Sequence, residues 1–221
     1  MGLPHRNDGS DPGYFGVYPA IVTDLVDEDS LGRVQVRFPW LGTSGDQDVR
    51  AWATLCTPYA DDDQGFLVLP EVDSQVVVAF EAGNLRRPYI VGAVWNGRES
   101  LPHSPEAANN VRLLRTRSDS RLEFDDTAGA EKVTISTSSG HQVVLDNSTR
   151  EITVQHADGC LVRLTSTSVE VQSNVTVDIT ATVVTVKAPI STFDGIVSAK
   201  TFIAESSVVS PSYTPGAGNL W

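Results

Sequence analysis

The sequence predicts an all-β protein in two parts: a small closed barrel, then a stack of short strands whose core is shared between chains. Three observations lead there. Through the first hundred residues, runs of β-branched and aromatic residues alternate with Gly and Pro. From Val133 onward, 47 of 89 residues are Ser, Thr, Val or Ile and only 11 are charged, so the second half follows a different pattern from the first. No window carries a helical stripe with caps.

The strands of the first half are read in order as YPAIVTDLV (18–26), GRVQVRFPW (32–40), AWATLCTPYA (51–60), GFLVLP (65–70), SQVVVAFEAG (74–83) and PYIVGAVWNG (88–97). In the second of these Val34, Val36 and Phe38 share one face, while Arg33, Gln35 and Arg37 share the other, the period of a half-buried strand. Gly32, Pro39, Gly65, Pro70, Gly83 and Pro88 stand at the joins. Five or six such strands in about 85 residues fit a Greek-key barrel of the OB kind. The segment GRESLPHSPEAANN (97–110) carries two Pro and two Asn and reads as a linker. The predicted parts are a flexible N-terminus (1–13), the OB barrel (14–97), a linker (98–111), a spike (112–206) and a C-terminal tip segment (207–221).

The second half is a repeat. Val162 and Leu164, Val169 and Val171, Val177 and Ile179, and Val184 and Val186 form pairs that recur every seven or eight residues. A unit that short cannot enclose a core, because one face of a lone strand has nothing to pack on. Stacked repeats or several chains wound together would supply that cover. Three identical chains about one axis, as in an intertwined trimeric β-helix, would share a narrow core of these Val, Ile and Leu residues, so oligomerisation is expected on physical grounds. With layers about 4.8 Å apart, some ten repeats make a prism roughly 40 to 60 Å long.

The segment LGRVQVRFPW (31–40), followed by GFLVLPEVDSQVVVAFEAGNLRRPYIVGAVWNG (65–97), resembles the OB domain of phage baseplate assembly protein V and VgrG-type spike proteins. YFGVYPAIVTDLVDEDS (14–30) resembles that family's first strand and turn, and the residues from Arg115 to Ser136 its neck into a triple-stranded β-helix. The resemblance implies a trimeric central spike of a contractile injection system or phage-tail-like baseplate. Its partners would be a hub protein at the OB end and a PAAR-repeat tip protein at the other, with a target membrane met only on firing. The length leaves no room for a hub region fused within the chain. Tyr213, Leu220 and Trp221 are the expected tip-docking residues. Asp73 stands where relatives often carry Gly, so an adjusted turn is expected there.

Charge and composition exclude several rivals. The chain has 28 acidic against 16 basic residues, a formal charge of −12, which opposes a nucleic-acid binder and a polybasic membrane anchor. Phe38, Trp40 and Trp52 are therefore read as packing residues rather than base-stacking platforms. The N-terminus is polar with no apolar h-region, so the chain is expected to be made in the cytoplasm without a signal peptide. Asp61, Asp62 and Asp63 lack the spacing of a calcium loop. Glu71, Asp73 and Glu81 are not set apart as a glycosidase pair, and Ser139, His141 and Asp146 lack a nucleophile elbow. No catalytic residue, metal or cofactor is expected. A tailspike-type polysaccharide-degrading enzyme and an OB binding module on a β-helical stalk remain the alternatives.

Cys56 and Cys160 are too few and too far apart for a disulfide scaffold. His141 and Cys160 could form three-fold rings in a trimer, which are expected to hold water rather than an ion. At the neck, Arg112, Arg115, Arg117 and Arg121 lie beside Asp119, Glu123, Asp125 and Asp126, and ion pairing between subunits is expected there to fix register.

Overall fold

Val34, Val36 and Phe38 do what their spacing predicts: each is buried, with Val22, Ala20, Ala53, Val76, Val78, Phe80 and Ile90 packed around them. The computed structural model describes residues 13–44 and 47–210. Its strands are β1 (Val17–Asp24), β2 (Arg33–Arg37), β3 (Thr43–Ser44), β4 (Gln47–Asp48), β5 (Arg50–Leu55), β6 (Ala60–Asp61), β7 (Gln64–Gly65), β8 (Gln75–Phe80) and β9 (Pro88–Ala93). There follow β10 (Val111–Arg115), β11 (Arg121–Asp125), β12 (Lys132–Ser136), β13 (Gln142–Asp146), β14 (Glu151–Gln155), β15 (Leu161–Leu164) and β16 (Val169–Gln172).

Strands β1, β2, β5, β9 and β8 close into a barrel in that order, with β8 pairing back onto β1. All pairs are antiparallel except β5 with β9, where Thr54 faces Tyr89 and Leu55 faces Ile90. Five strands closed in this order, with one parallel pair, form the OB barrel. Along β8 the residues Val76, Val78 and Phe80 point inward and alternate with half-buried Gln75, Val77 and Ala79. Register shifts in the β1–β2 pair between Val22 and Asp24, and in the β8–β9 pair between Val77 and Val78, bend the sheet enough to close.

One end of the barrel is sealed by rings. Tyr18 stacks on Trp40 with centroids 4.8 Å apart, and Tyr14, Phe38 and Phe80 pack tilted around them. Trp40 donates Nε1–H to the Pro19 carbonyl at 3.0 Å. Gly83 permits the closure: its φ is 76°, and a Cβ there would sit 2.9 Å from the Tyr14 nitrogen that donates to its own carbonyl. Asp73 takes the same left-handed conformation with φ of 69°, its N–H donating to Val22 O at 2.9 Å. The barrel closes with this non-glycine in the turn.

Two expectations differ from the structure. GFLVLP was read as a strand, but only Gly65 of it lies in one, because among the described residues no strand runs beside Phe66–Pro70. Winding between chains was expected from residue 112. Instead β10 to β16 form one seven-stranded antiparallel sheet in sequence order, within a single chain. The reason lies in the turns. Three of them are five-residue loops (116–120, 137–141 and 156–160) in which Asp119, Gly140 and Gly159 take positive φ, and their N–H groups donate to Thr116 O, Thr137 O and His156 O at 3.0 Å each. Loops this short return the chain only to the adjacent antiparallel position.

The strand-free stretch between barrel and sheet runs from 94 to 110. The chain divides into two compact units, one up to Gln172 and one from Ser173 onward. Among the described residues of the second unit no strand is formed.

Candidate functional site

The pairing register of the seven-stranded sheet sorts its side chains into faces. Phe124, Val133, Leu145, Ile152, Leu164 and Val169 stand opposite one another in turn, forming one row across six strands. Leu114, Leu122, Ile135, Val143, Val154, Val162 and Val171 form a second row on the same face, two residues along. The opposite face carries, in the row between them, Leu113, Glu123, Thr134, Val144, Thr153, Arg163 and Glu170. The sheet thus has one continuous apolar side and one largely polar side, and no residue from Val111 to Gln172 is buried. Among the described residues, every member of the buried hydrophobic core belongs to the barrel domain. Phe124, Val133, Leu145 and Ile152 floor an open hollow of about 460 Å³, edged by Asp126, Glu131 and Arg150.

The expected core residues fall in two environments. Val162 and Leu164 lie on β15, and Val169 and Val171 on β16, all within the apolar rows. Val177, Ile179, Val184 and Val186 lie in the second unit, outside any strand, and are exposed. Tyr213, Leu220 and Trp221 lie outside the described residues.

At the neck the expected charges find partners within the chain. Arg112 pairs with Asp126 at 2.5 Å, Arg115 with Asp119 at 2.6 Å, and Arg121 with Asp119 at 3.0 Å. Arg117 pairs with Glu71 of the barrel at 3.2 Å, and Asp125 lies 4.0 Å from Lys132. The expected pairing between subunits is not needed to satisfy these groups, because the β10–β11 hairpin brings Arg115 directly opposite Arg121 with Asp119 in the turn between them. The guanidiniums of Arg121 and then Arg115 hold the Asp119 carboxyl below its usual range. Asp125 is lowered first by the Thr127 hydroxyl and then by its N–H, which close the β11–β12 turn. Asp146 repeats this in the next turn on that side, accepting from the Ser148 hydroxyl at 2.6 Å and from two N–H groups.

A third turn device went unread in the sequence. Asp27 accepts hydrogen bonds from the Leu31, Arg33 and Asp29 N–H groups and from two nitrogens of the Arg33 side chain, at 2.6 to 3.3 Å. Its side chain is only 5% exposed, and the Arg33 side chain beside it drives its carboxyl far below the usual range. Arg33 also lies over the Trp52 ring, 5.8 Å from its centroid. The Asp-x5-Arg spacing across a turn was the available signal.

His141 and His156 face each other across the β13–β14 pair with ring centroids 4.3 Å apart. His141 Nδ1 accepts from the Ala157 N–H at 3.2 Å, and His156 Nδ1 from the Asp158 N–H at 3.1 Å. Among the described residues no group of three or more His, Cys, Asp or Glu is arranged to hold one. Asp61, Asp62 and Asp63 lie on the exposed β6–β7 hairpin. Among the described residues no helix is long and apolar enough to cross a membrane.

A closed barrel joined to a sheet that leaves one whole apolar side uncovered is the build of a self-associating structural protein. Residues 18–95 match the family model of the type VI secretion system/phage-baseplate injector OB domain, and residues 110–187 that of the phage baseplate V C-terminal trimerisation domain. The chain belongs to the family of baseplate V and VgrG-type spike proteins. It is 25% identical over 130 residues to the type VI secretion system spike protein VgrG3 of Vibrio cholerae, covering 56% of this chain and 13% of that one. It is 27% identical over 111 residues to the actin cross-linking toxin VgrG1 of Vibrio cholerae, covering 48% and 10%. To the type VI secretion system spike protein VgrG1b of Pseudomonas aeruginosa it is 24% identical over 128 residues, covering 54% and 17%. The matched region spans less than a fifth of the length of each of these relatives.

Proposed function

We propose that the chain is the structural central spike of a contractile injection system or phage-tail-like baseplate, acting as a homotrimer and not as an enzyme. The observation that carries this reading is the uncovered apolar face of β10–β16, which lies within the matched trimerisation domain. Three such sheets with their apolar faces turned inward form the walls of a prism. Each chain supplies one wall, about 30 Å tall for seven strands at 4.8 Å spacing. Backbone hydrogen bonds run along the height of each wall, and this makes it stiff in the direction a piercing shaft is loaded. From Ser173 onward, Val177, Ile179, Val184 and Val186 gain cover only from other chains, and there the three chains wind together.

The barrel joins a hub protein at the inner tube, and the C-terminal segment, through Tyr213, Leu220 and Trp221, receives a PAAR-repeat tip protein. The target membrane is met only when the sheath contracts. An epitope tag on this chain, followed in purified contractile particles by gold-labelled electron microscopy, tests the assignment. Label confined to the baseplate end of the tube supports it. Label along the sheath, or none on assembled particles, refutes it.

A further inference from the structure

Phe66, Leu67, Val68 and Leu69 follow one another along the outside of the barrel and are 53%, 78%, 51% and 39% exposed. Both ends of this run are anchored. At its start, Phe66 N–H donates to Tyr59 O at 2.9 Å, and the Thr57 hydroxyl donates to Phe66 O at 2.6 Å. Just past its end, Glu71 accepts from Arg117 in the β10–β11 turn at 3.2 Å. Between the anchors, and among the described residues, the peptide groups of Leu67, Val68 and Leu69 have no hydrogen-bond partner in the chain. Four successive apolar side chains exposed in one run, with the backbone unpaired, make a template for another strand.

We infer that Phe66–Leu69 is a docking strand between copies of this chain, which extends the trimer contact from the sheet onto the barrel. The inference rests on the trimer reading above. Position argues for a second copy as the occupant. Arg117 lies inside the matched trimerisation domain, and its turn directly follows Leu114 and precedes Leu122, the first members of the second apolar row. The run is therefore continuous with the surface on which copies meet. A neighbouring copy covers the four side chains and pairs with the free peptide groups by strand addition.

Hydrogen–deuterium exchange on the full chain tests this, with solution mass measured on the same samples. In the trimer, the amides of Leu67, Val68 and Leu69 are expected to exchange at least 100-fold more slowly than in a Leu145→Asp chain, whose copies are separated through the sheet. A second variant, Leu67→Asp with Val68→Asp, changes only exposed side chains. It is expected to remain trimeric through the sheet but to lose the protection at residues 67–69 and to dissociate at lower urea. Equal exchange in trimer and separated chains, or a double variant as resistant to urea as the wild type, overturns the inference and leaves the run for a different partner. A monomeric wild type overturns the reading beneath it, and the mass distinguishes that outcome.

Discussion

Leu145→Asp places a carboxylate in the middle of the apolar face, between Val133 and Ile152 on the neighbouring strands. In the single chain Leu145 is 44% exposed, so the substitution leaves the fold of one chain nearly undisturbed. In the trimer that remaining surface is covered, a contribution of about 1 kcal/mol, taken as its share of the roughly 1.5–3 kcal/mol for fully burying a Leu. The variant forfeits this and adds the cost of an unpaired buried carboxylate, roughly 2 kcal/mol after relaxation. The loss is about 3 kcal/mol per chain and about 9 per trimer, or about six decades in the association constant at 1.4 kcal/mol per decade. Sedimentation at micromolar concentration should find the variant monomeric with its strand circular dichroism retained. Thr153→Asp, on the other face of the adjacent strand and opposite Arg163, should stay trimeric. A Leu145→Asp chain that sediments like the wild type refutes the claim that this face meets other copies.

Three further outcomes follow from the same geometry. Phe38→Ala, at a residue 1% exposed, should weaken the barrel by about 3–5 kcal/mol while the shaft stays associated, seen as early loss of near-ultraviolet circular dichroism at unchanged mass. Asp27→Asn should lower the melting temperature of the barrel near neutral pH. Because the folded state holds the Asp27 carboxyl below its ordinary value, its contribution is full above the ordinary carboxylate range. It is lost as pH falls through the depressed folded value, so the gap between wild type and variant should close in strong acid. Replacing Arg115 and Arg117 together by Ala should leave the trimer mass unchanged, since both pair with acids of their own chain at the surface, where such bridges contribute about 0–1 kcal/mol. A fall to monomer would mean that these arginines reach a neighbouring subunit.

The barrel was legible because its signal is local. Alternation in GRVQVRF and QVVVAF marks the inward residues directly, and Gly and Pro mark the joins. The need for several chains was legible too, from the scarcity of large apolar residues in the repeat. How the strands pair was not. Val162/Leu164 and Val177/Ile179 look alike in sequence, yet the first pair lies in a hairpin sheet and the second in no strand of the chain. Short turns with positive φ at Asp119, Gly140 and Gly159 set the hairpin pairing of the sheet, and Asp119 is not a glycine that would have announced it. The neck charges were found, but their pairing within the chain was not, because register places Asp119 between Arg115 and Arg121 only once the hairpin exists. GFLVLP has the composition of a strand and lacks a neighbour in its own chain, which no single-chain pattern can reveal.

The solution mass of the purified wild-type chain, measured by light scattering, tests the central claim most directly. One chain is 23.8 kDa, so the three-walled prism requires a particle of about 71 kDa that persists on dilution into the nanomolar range. A stable monomer of about 24 kDa would contradict it, because the apolar face of β10–β16 would then stand open to water with nothing to cover it.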